Sequence, residues 1–466
     1  MYHQRFLVPA VWGLILCGSL APAAEPIELG SQRELFVDDY LIGRLSGEAR
    51  QVLQKPVPQE VVLVTDKPWE GNTCAYYTIF QDGDRYRMYY RGSHYDTQTR
   101  KSAHAEVVCY AESRDGIQWT KPELGLCEFA GSKANNIVWN GPGGHNFTPF
   151  KDANPACPTE ARYKALAGGG GGSKPGLYAF QSADGLHWSL IRNEPVITKG
   201  AFDSQNLAFW DPHAKLYREF HRHFRGVRDI MGGTSSDFLS WTAPAFLEYP
   251  GAPKEHLYTN AIQTYSRAPH LLIGFPTRFH PERGDQVEPV FMSSRDGCTF
   301  HRWPEALIPV TAPENRDGNR SNYMTWGLVQ LPGNDKEYSV YATEAYYTGP
   351  DSRVRRFTYR VDGFVSVHAS AVGGQLVTKP LRFAGMKLTI NAATAGEGRI
   401  RVEIQDATGQ AIEGFALADC QPFRGDAIEH TVTWTGGSNV GSLAGKPVQL
   451  RFEVQDANLY ALQFTD

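Results

Sequence analysis

The stretch ESRDGIQWTKP, residues 112–122, returns as QSADGLHW at 181–188, TSSDFLSW at 234–241 and SSRDGCTF at 293–300. Every copy sets a Ser two residues ahead of an Asp and a large ring four residues behind it. Ser and Asp at that spacing satisfy the free amides of a tight turn, and the ring is placed to pack beside it. We read the phrase as the outer hairpin of a repeated β unit, with its Trp packing between neighbouring units: scaffold, not chemistry. Its Asp residues are Asp115, Asp184, Asp237 and Asp296, and a weaker fifth copy, YRVDGFVSV (359–367), places Asp362. The intervals of 69, 53, 59 and 66 residues suit a four-stranded propeller blade with long loops. DGDRYRMYYRG (82–92) and RYKALAGG (162–169) have the alternation of the remaining blade strands. Five copies predict five blades.

Beyond about residue 366 the pattern changes. LVTKPLRFAGMKLTINA (376–392), GRIRVEIQD (398–406), HTVTWTGG (430–437) and VQLRFEVQD (448–456) alternate apolar and polar residues between turns, a β-sandwich signature. The expected fold is therefore all-β, a five-bladed β-propeller over 25–365 followed by a C-terminal β-sandwich over 366–466. At 466 residues the chain is long enough for two cores. Its formal charge of −4, with no long run of like charge, argues against nucleic acid or an anionic membrane as partner.

The N-terminus, MYHQRFLVPAVWGLILCGSLAPAAEP, has a basic Arg5, an apolar run from Phe6 to Cys17 and a small-residue cleavage pattern at Ala21-Pro22-Ala23. It reads as a signal peptide over 1–24, so a secreted or periplasmic protein is expected. The apolar run is short for a bilayer span, and Leu16 before Cys17 does not fit a lipoprotein signal. Six cysteines follow without metal-ligand spacing, so no zinc site is expected; Cys109 with Cys127 is the candidate disulfide. No cofactor motif is found, and AGGGGGSKPG (167–176) lacks the ending of a phosphate loop. A calcium ion at a funnel centre would leave no local signature, because its oxygen ligands can come from separate blades.

A secreted five-bladed propeller followed by a sandwich resembles glycoside hydrolase family 32 and, more loosely, families 43, 68 and 117. The opening RELFVDDYLI (33–42) also resembles a large group of secreted bacterial proteins. The resemblance implies glycosidic cleavage in a central funnel by a proton-donating carboxyl group and a second carboxylate. FDSQNLAFWD (202–211) resembles the family 32 stretch beginning Glu-Cys-Pro-Asp. Aligned on Asp211, Asp203 takes the general acid's place as Asp for Glu. HNFTPFKD (145–152) resembles the transition-state-stabilising Arg-Asp-Pro stretch when set on Asp152, with His145 and Asn146 replacing its Arg and Asp. The family nucleophile would fall near Cys74, where no carboxylate stands. Glu70 just upstream is the candidate partner carboxylate, with Trp69 as a sugar-stacking ring and Asn72 as a hydroxyl ligand.

Later blades offer polar funnel candidates: Tyr258 and Asn260 in EHLYTNAI, Arg320 and Asn322 in NRSNYMTWG. EFHRHFRGVRDI (219–230) adds His221 and His223 on one strand face and Arg222 on the other, with Arg225 and Arg228 beyond, a cluster suited to an anionic sugar group. Glu344 is a reserve acid, and at most one of Asp38 and Asp39 could face the funnel if their segment is a strand. The expected function is a secreted glycosidase acting on a complex polysaccharide or its oligomers, acidic or sulfated ones among them. The alternatives are a non-catalytic glycan-binding propeller and a sialidase-like enzyme; nothing in the sequence sets the oligomeric state.

Overall fold

The computed structural model describes Met1 and residues 25–168, 174–309 and 322–466. The rest of the expected signal peptide, the centre of the glycine-rich stretch and Arg320 lie outside the described residues. Strands dominate, with three single-turn 3₁₀ segments and no α-helix among the described residues. No described helix is long and apolar enough to cross a membrane.

Four blades are regular four-stranded antiparallel sheets, in chain order from the axis outward. Blade 1 runs through Ala75–Asp82, Arg85–Gly92, Val107–Ser113 and Ile137–Trp139, and blade 2 through Thr148–Lys151, Tyr163–Gly168, Leu177–Ser182 and Ser189–Leu190. Blade 3 uses Leu207–Asp211, Leu216–Phe224, Arg228–Ser235 and Ala245–Phe246; blade 4 uses Gln263–Tyr265, Ala268–Gly274, Met292–Ser294 and His301–Arg302. Blade 5 differs. Its inner segment is irregular, bridging at Met324 and Val329 to the strand Glu337–Glu344, and beyond Arg353–Arg360 its outer strand is Val57–Val64 from the other end of the propeller sequence. That pairing closes the ring and covers the edge that an open sheet would leave.

The repeated phrase forms the same turn four times. Each Asp accepts the amides two and three residues on at 2.7–2.9 Å. Each Ser hydroxyl donates to that Asp at 2.9–3.1 Å. The turns then dock on the preceding blade. Tyr341 of blade 5 donates to the Gly116 carbonyl at 2.7 Å, Tyr89 of blade 1 to that of Gly185 at 2.9 Å, and Arg218 of blade 3 to that of Asp296 at 3.1 Å. Trp119 packs edge-on against Tyr341, and Trp188 against Tyr89.

The fifth copy is not such a hairpin. Asp362 sits at the corner between blade 5 and the second sheet, buried in a left-handed conformation (φ 59°). It accepts from Tyr265 at 2.5 Å, Arg267 at 3.1 Å, Arg33 at 3.2 Å and Asn391 at 3.1 Å. Its Asp-Gly serves a chain reversal between units, which uses the same residue types as a hairpin.

The second unit is one continuous ten-stranded sheet, not two separate ones. Its long strands Lys387–Asp406 and Val448–Thr465 pair along most of their length, with register breaks near Asn391 and between Thr394 and Arg399. Such irregularities bend a sheet. Leu450 and Phe452 on one side of the bend share a core with Leu459 and Phe464 on the other, so the sheet folds over itself. The boundary also differs from expectation: Ile27–Gly30, Glu34–Leu35, Ile42–Gly47 and Arg50–Leu53 all pair into this sheet, so the propeller spans roughly 57–361. Asp38 and Asp39 lie in bends between these strands, where Asp38 pairs with Arg295 at 3.0 Å. The six described cysteines are free thiols, and the expected Cys109–Cys127 bond is not formed. Cys109 faces the blade interior instead, so close to Gly92 that a Cβ there would lie 2.7 Å from its sulfur.

Candidate active site

The short segments entering the inner strands gather at one end of the propeller axis. Four non-glycine residues there adopt left-handed backbone: Tyr76 (φ 57°) in blade 1, Ala261 (φ 43°) in blade 4, and Ala345 (φ 58°) with Tyr347 (φ 61°) in blade 5. Such conformations cost on the order of 1–3 kcal/mol each and concentrate at ligand sites. Tyrosines from blades 4 and 5 touch in series across this mouth. Tyr258 of blade 4 meets Tyr323 at 5.7 Å, Tyr323 meets Tyr346 at 5.6 Å, and Tyr346 meets Tyr347 at 4.7 Å between ring centres. Burial, reinforced by Tyr258, holds the Tyr76 and Tyr323 hydroxyls protonated well above the usual tyrosine range. These phenols are hydrogen-bond donors, not bases.

Beside the tyrosines opens a cleft of about 690 Å³ whose walls include Glu106, His145, Asn146, Gly168, Phe202 and Asp203. Glu106 enters from the segment before the third strand of blade 1, and His145 from the loop ahead of blade 2. They meet with the imidazole Nδ1 at 2.8 Å from the carboxylate, and Arg91 stands 3.5 Å from the same carboxylate. Burial works to raise the Glu106 pKa, but the His145 hydrogen bond and the Arg91 charge outweigh it and hold the group below the usual carboxylate range. Arg91 is anchored by donating to the Thr73 carbonyl at 2.8 Å and to Tyr346 at 3.0 Å, with its guanidinium over the Tyr76 ring.

Across the cleft Asp203 projects from the loop entering blade 3, its side chain 69% exposed, paired with an Arg222 guanidinium that is only 3% exposed. Two backbone anchors fix that loop: Tyr76 donates to the Asp203 carbonyl at 3.2 Å, and the Asn146 amide donates to the carbonyl of Phe202.

Of the residues singled out in the sequence, Asp203, His145 and Asn146 line this cleft, and Tyr258 joins them at the mouth through Arg222. The others are placed elsewhere. Glu70 is buried inside blade 1, taking a hydrogen bond from Tyr90 at 2.5 Å and pairing with Lys121 at 2.6 Å, so it holds that blade together and has no open face for substrate. Trp69 donates to Asn136 at 2.6 Å and packs on Phe129. Asn72 bridges Tyr95 and Gly349 through both ends of its amide, and Asn260 caps its own strand by accepting from Ile262. His221 is fully buried between Glu219 at 2.7 Å and the Lys199 carbonyl at 2.9 Å; His223, on the same strand face, stacks on Phe246 of the outermost strand. Asn322 is buried where the inner segment of blade 5 begins. Glu344 is buried between Arg353 and Arg355. Side-chain alternation separates the histidines from Arg222: the two histidines share one face of the blade, and Arg222, on the other face, reaches Asp203.

Glu106, Arg91 and the mouth tyrosines other than Tyr258 were not anticipated. Glu106 stands in AHAEVV with no motif around it, and only the unusual Tyr76-Tyr77 and Tyr346-Tyr347 pairs marked the aromatic set. No group of three His, Cys, Asp or Glu suited to a metal occurs among the described residues. The far end of the axis holds a second cavity of about 370 Å³ among Thr78, Phe150, Phe209, Gln263 and Trp326. Gln205, reaching from blade 3 to the Tyr77 carbonyl at 3.1 Å, ties blades 1 and 3 together near the axis.

No family model and no curated protein matches the chain. Similar solved structures include the β-1,2-mannobiose phosphorylase from Listeria innocua in complex with β-1,2-mannobiose (10% identity, TM-score 0.48, covering 66% of this chain and 97% of that one). A family 43 arabinoxylan arabinofuranohydrolase from Bacillus subtilis shares 12% identity at a TM-score of 0.42, covering 86% and 96%. An endo-arabinase from Bacteroides thetaiotaomicron shares 10% at 0.41, covering 66% and 99%. At these values the chemistry of the cleft rests on the residues of this chain.

Proposed function

We propose that the protein is a glycoside hydrolase that cleaves a complex polysaccharide or its oligomers, acidic or sulfated ones among them, in the cleft at the propeller mouth. The observation that carries this reading is a pair of carboxylates from different blades, Glu106 and Asp203, lining one cleft, with Tyr76 beside it against His145 and the Asp203 carbonyl. Glycosidic cleavage needs two carboxyl groups flanking the bond, one to donate a proton and one to act as nucleophile or base. Glu106, held ionised by His145 and Arg91, suits the second task. Asp203 is the proton donor, and Tyr258 supports it through Arg222, whose guanidinium lies over the Tyr258 ring. Glu70 has no part in this chemistry.

Product release from a panel of neutral, uronic and sulfated polysaccharides tests the reading. Wild-type protein should release sugar, and Asp203→Asn and Glu106→Gln should each lower the rate by about 10²–10⁴-fold. A non-catalytic glycan-binding module is the second reading, favoured by the pairing of Asp203 with Arg222. An opposite charge favours the ionised form of a carboxyl group, and a general acid must carry a proton. No release from any substrate, with equal glycan binding by wild type and both variants, would establish that second reading. A sialidase-like site would need three convergent arginines; among the described residues Arg222 and Arg228 converge on Tyr258, whereas Arg91 is committed to Thr73 and Tyr346. The proposed export follows from the N-terminal sequence, and a mature protein beginning at Glu25 would support it.

A further inference from the structure

The buried Arg222 and its exposed counter-ion are an unequal pair, and a second cation lies next to them. The guanidinium carbons of Arg222 and Arg228 stand 4.8 and 5.7 Å from the Tyr258 ring centre and 5.3 and 5.9 Å from that of Phe224. Two like charges therefore share two aromatic faces. Asp203 is the one carboxylate paired with Arg222, and no ion pair is formed by Arg228 among the described residues. The Nε atoms of both arginines are buried without a hydrogen-bond partner. Two guanidiniums with donors to spare and a single exposed carboxylate make a site deficient in negative charge. Phe224, 51% exposed, leaves it open on one side.

We propose that Arg222 and Arg228 bind the carboxylate or sulfate of an acidic sugar, which displaces Asp203 from Arg222. This rests on the glycosidase reading and deepens it by assigning the substrate's charge to named residues. The displacement has a consequence for the chemistry. Freed from the guanidinium and set beside the bound anion, Asp203 no longer faces the opposite charge that favours its ionised form. A neutral sugar leaves the ion pair in place, so the same event that recognises the charge readies the acid.

Titration calorimetry with glucuronate, galacturonate and glucose 6-sulfate, against glucose as the neutral control, reads this without turnover. Wild-type protein should bind at least one of the anions about tenfold more tightly than glucose. Asp203→Asn, which removes the competing carboxylate, should bind that anion about tenfold more tightly still. Arg222→Gln should abolish the preference. Because loss of a buried arginine can unfold the blade, Arg228→Gln serves beside it and should weaken anion binding with an unchanged melting temperature. Preference for the carboxylates would point to a uronic acid, and preference for glucose 6-sulfate to a sulfated sugar; either supports the proposal. Equal binding of glucose and all three anions, or no gain in Asp203→Asn, would overturn it. Sugar release is a separate measurement: a protein that binds the anions as described yet cleaves nothing removes the hydrolase reading and leaves the anion site standing.

Discussion

Asn146 uses both ends of its amide on backbone, donating to the Phe202 carbonyl and accepting from the Gly168 amide at 2.8 Å, and so pins the loop carrying Asp203 to blade 2. It acts on the reaction through the position of Asp203. Asn146→Ala leaves those backbone groups without partners, and denaturant titration should show a loss of about 1–3 kcal/mol. Sugar release should fall through kcat more than KM, since what is lost is the placement of the acid. Glu70 and Glu106 show how far one residue can be read without its neighbours. Both are glutamates in blade 1 close to aromatic residues, and composition does not separate them. Lys121 and Tyr90 commit Glu70 to the blade interior, whereas His145 from the next blade holds Glu106 at the cleft.

The repeated turn is the element on which the propeller is assembled, and its four carboxylates are all held below the usual aspartate range. Burial opposes ionisation of Asp115 and Asp296, yet backbone amides and the Ser hydroxyl hold both below the usual aspartate range. In Asp237 the Ser240 amide leads, and the pKa falls to about 2. A group whose folded pKa lies below the unfolded value of about 3.9 stabilises the fold above that value and loses its contribution as pH falls toward the folded one. The melting temperature should thus fall between roughly pH 4 and pH 2. The deficit of Asp237→Asn relative to wild type should be full at pH 7 and nearly absent at pH 2. Trp188 caps its turn through Gly185 at 2.9 Å and packs at 5.0 Å on Phe147. Trp188→Ala should cost about 3–5 kcal/mol in denaturant unfolding, through the cavity left between blades 1 and 2. This element was legible in sequence because its chemistry is local: the Ser, the Asp and the amides they satisfy lie within six residues. The fifth copy misled for the same reason, since a local signal marks a reversal of the chain without saying what lies on either side.

In the whole molecule both units are closed by residues from opposite ends of the described chain. Val57–Val64 completes blade 5, and the four strands before it complete the second sheet. Asp362 joins the two, with Arg33 from the N-terminal part and Arg267 from blade 4 on one carboxylate. Asp362→Ala leaves Arg33 buried beside little other negative charge than the half-exposed Glu429. Removing one partner of a buried pair costs about 3–5 kcal/mol, and calorimetry should show the variant unfolding at a lower temperature than wild type, in one transition or in two. Division would mean that the propeller and the folded sheet unfold separately once the joint is cut.

The alternating strands, the blade repeat and the change of pattern near residue 366 came from sequence alone, because each depends on side chains a few residues apart; Asp203 as a candidate acid came from the resemblance of its stretch to a family motif. Closure of the ring by an early strand, the assignment of residues 27–53 to the second sheet, the loss of Glu70 from the site and the entry of Glu106, Arg91 and the tyrosines other than Tyr258 were decided by tertiary structure. Those features depend on pairings across tens to hundreds of residues. A carboxylate, an arginine or a tyrosine takes its role from whichever blade the closed ring sets beside it.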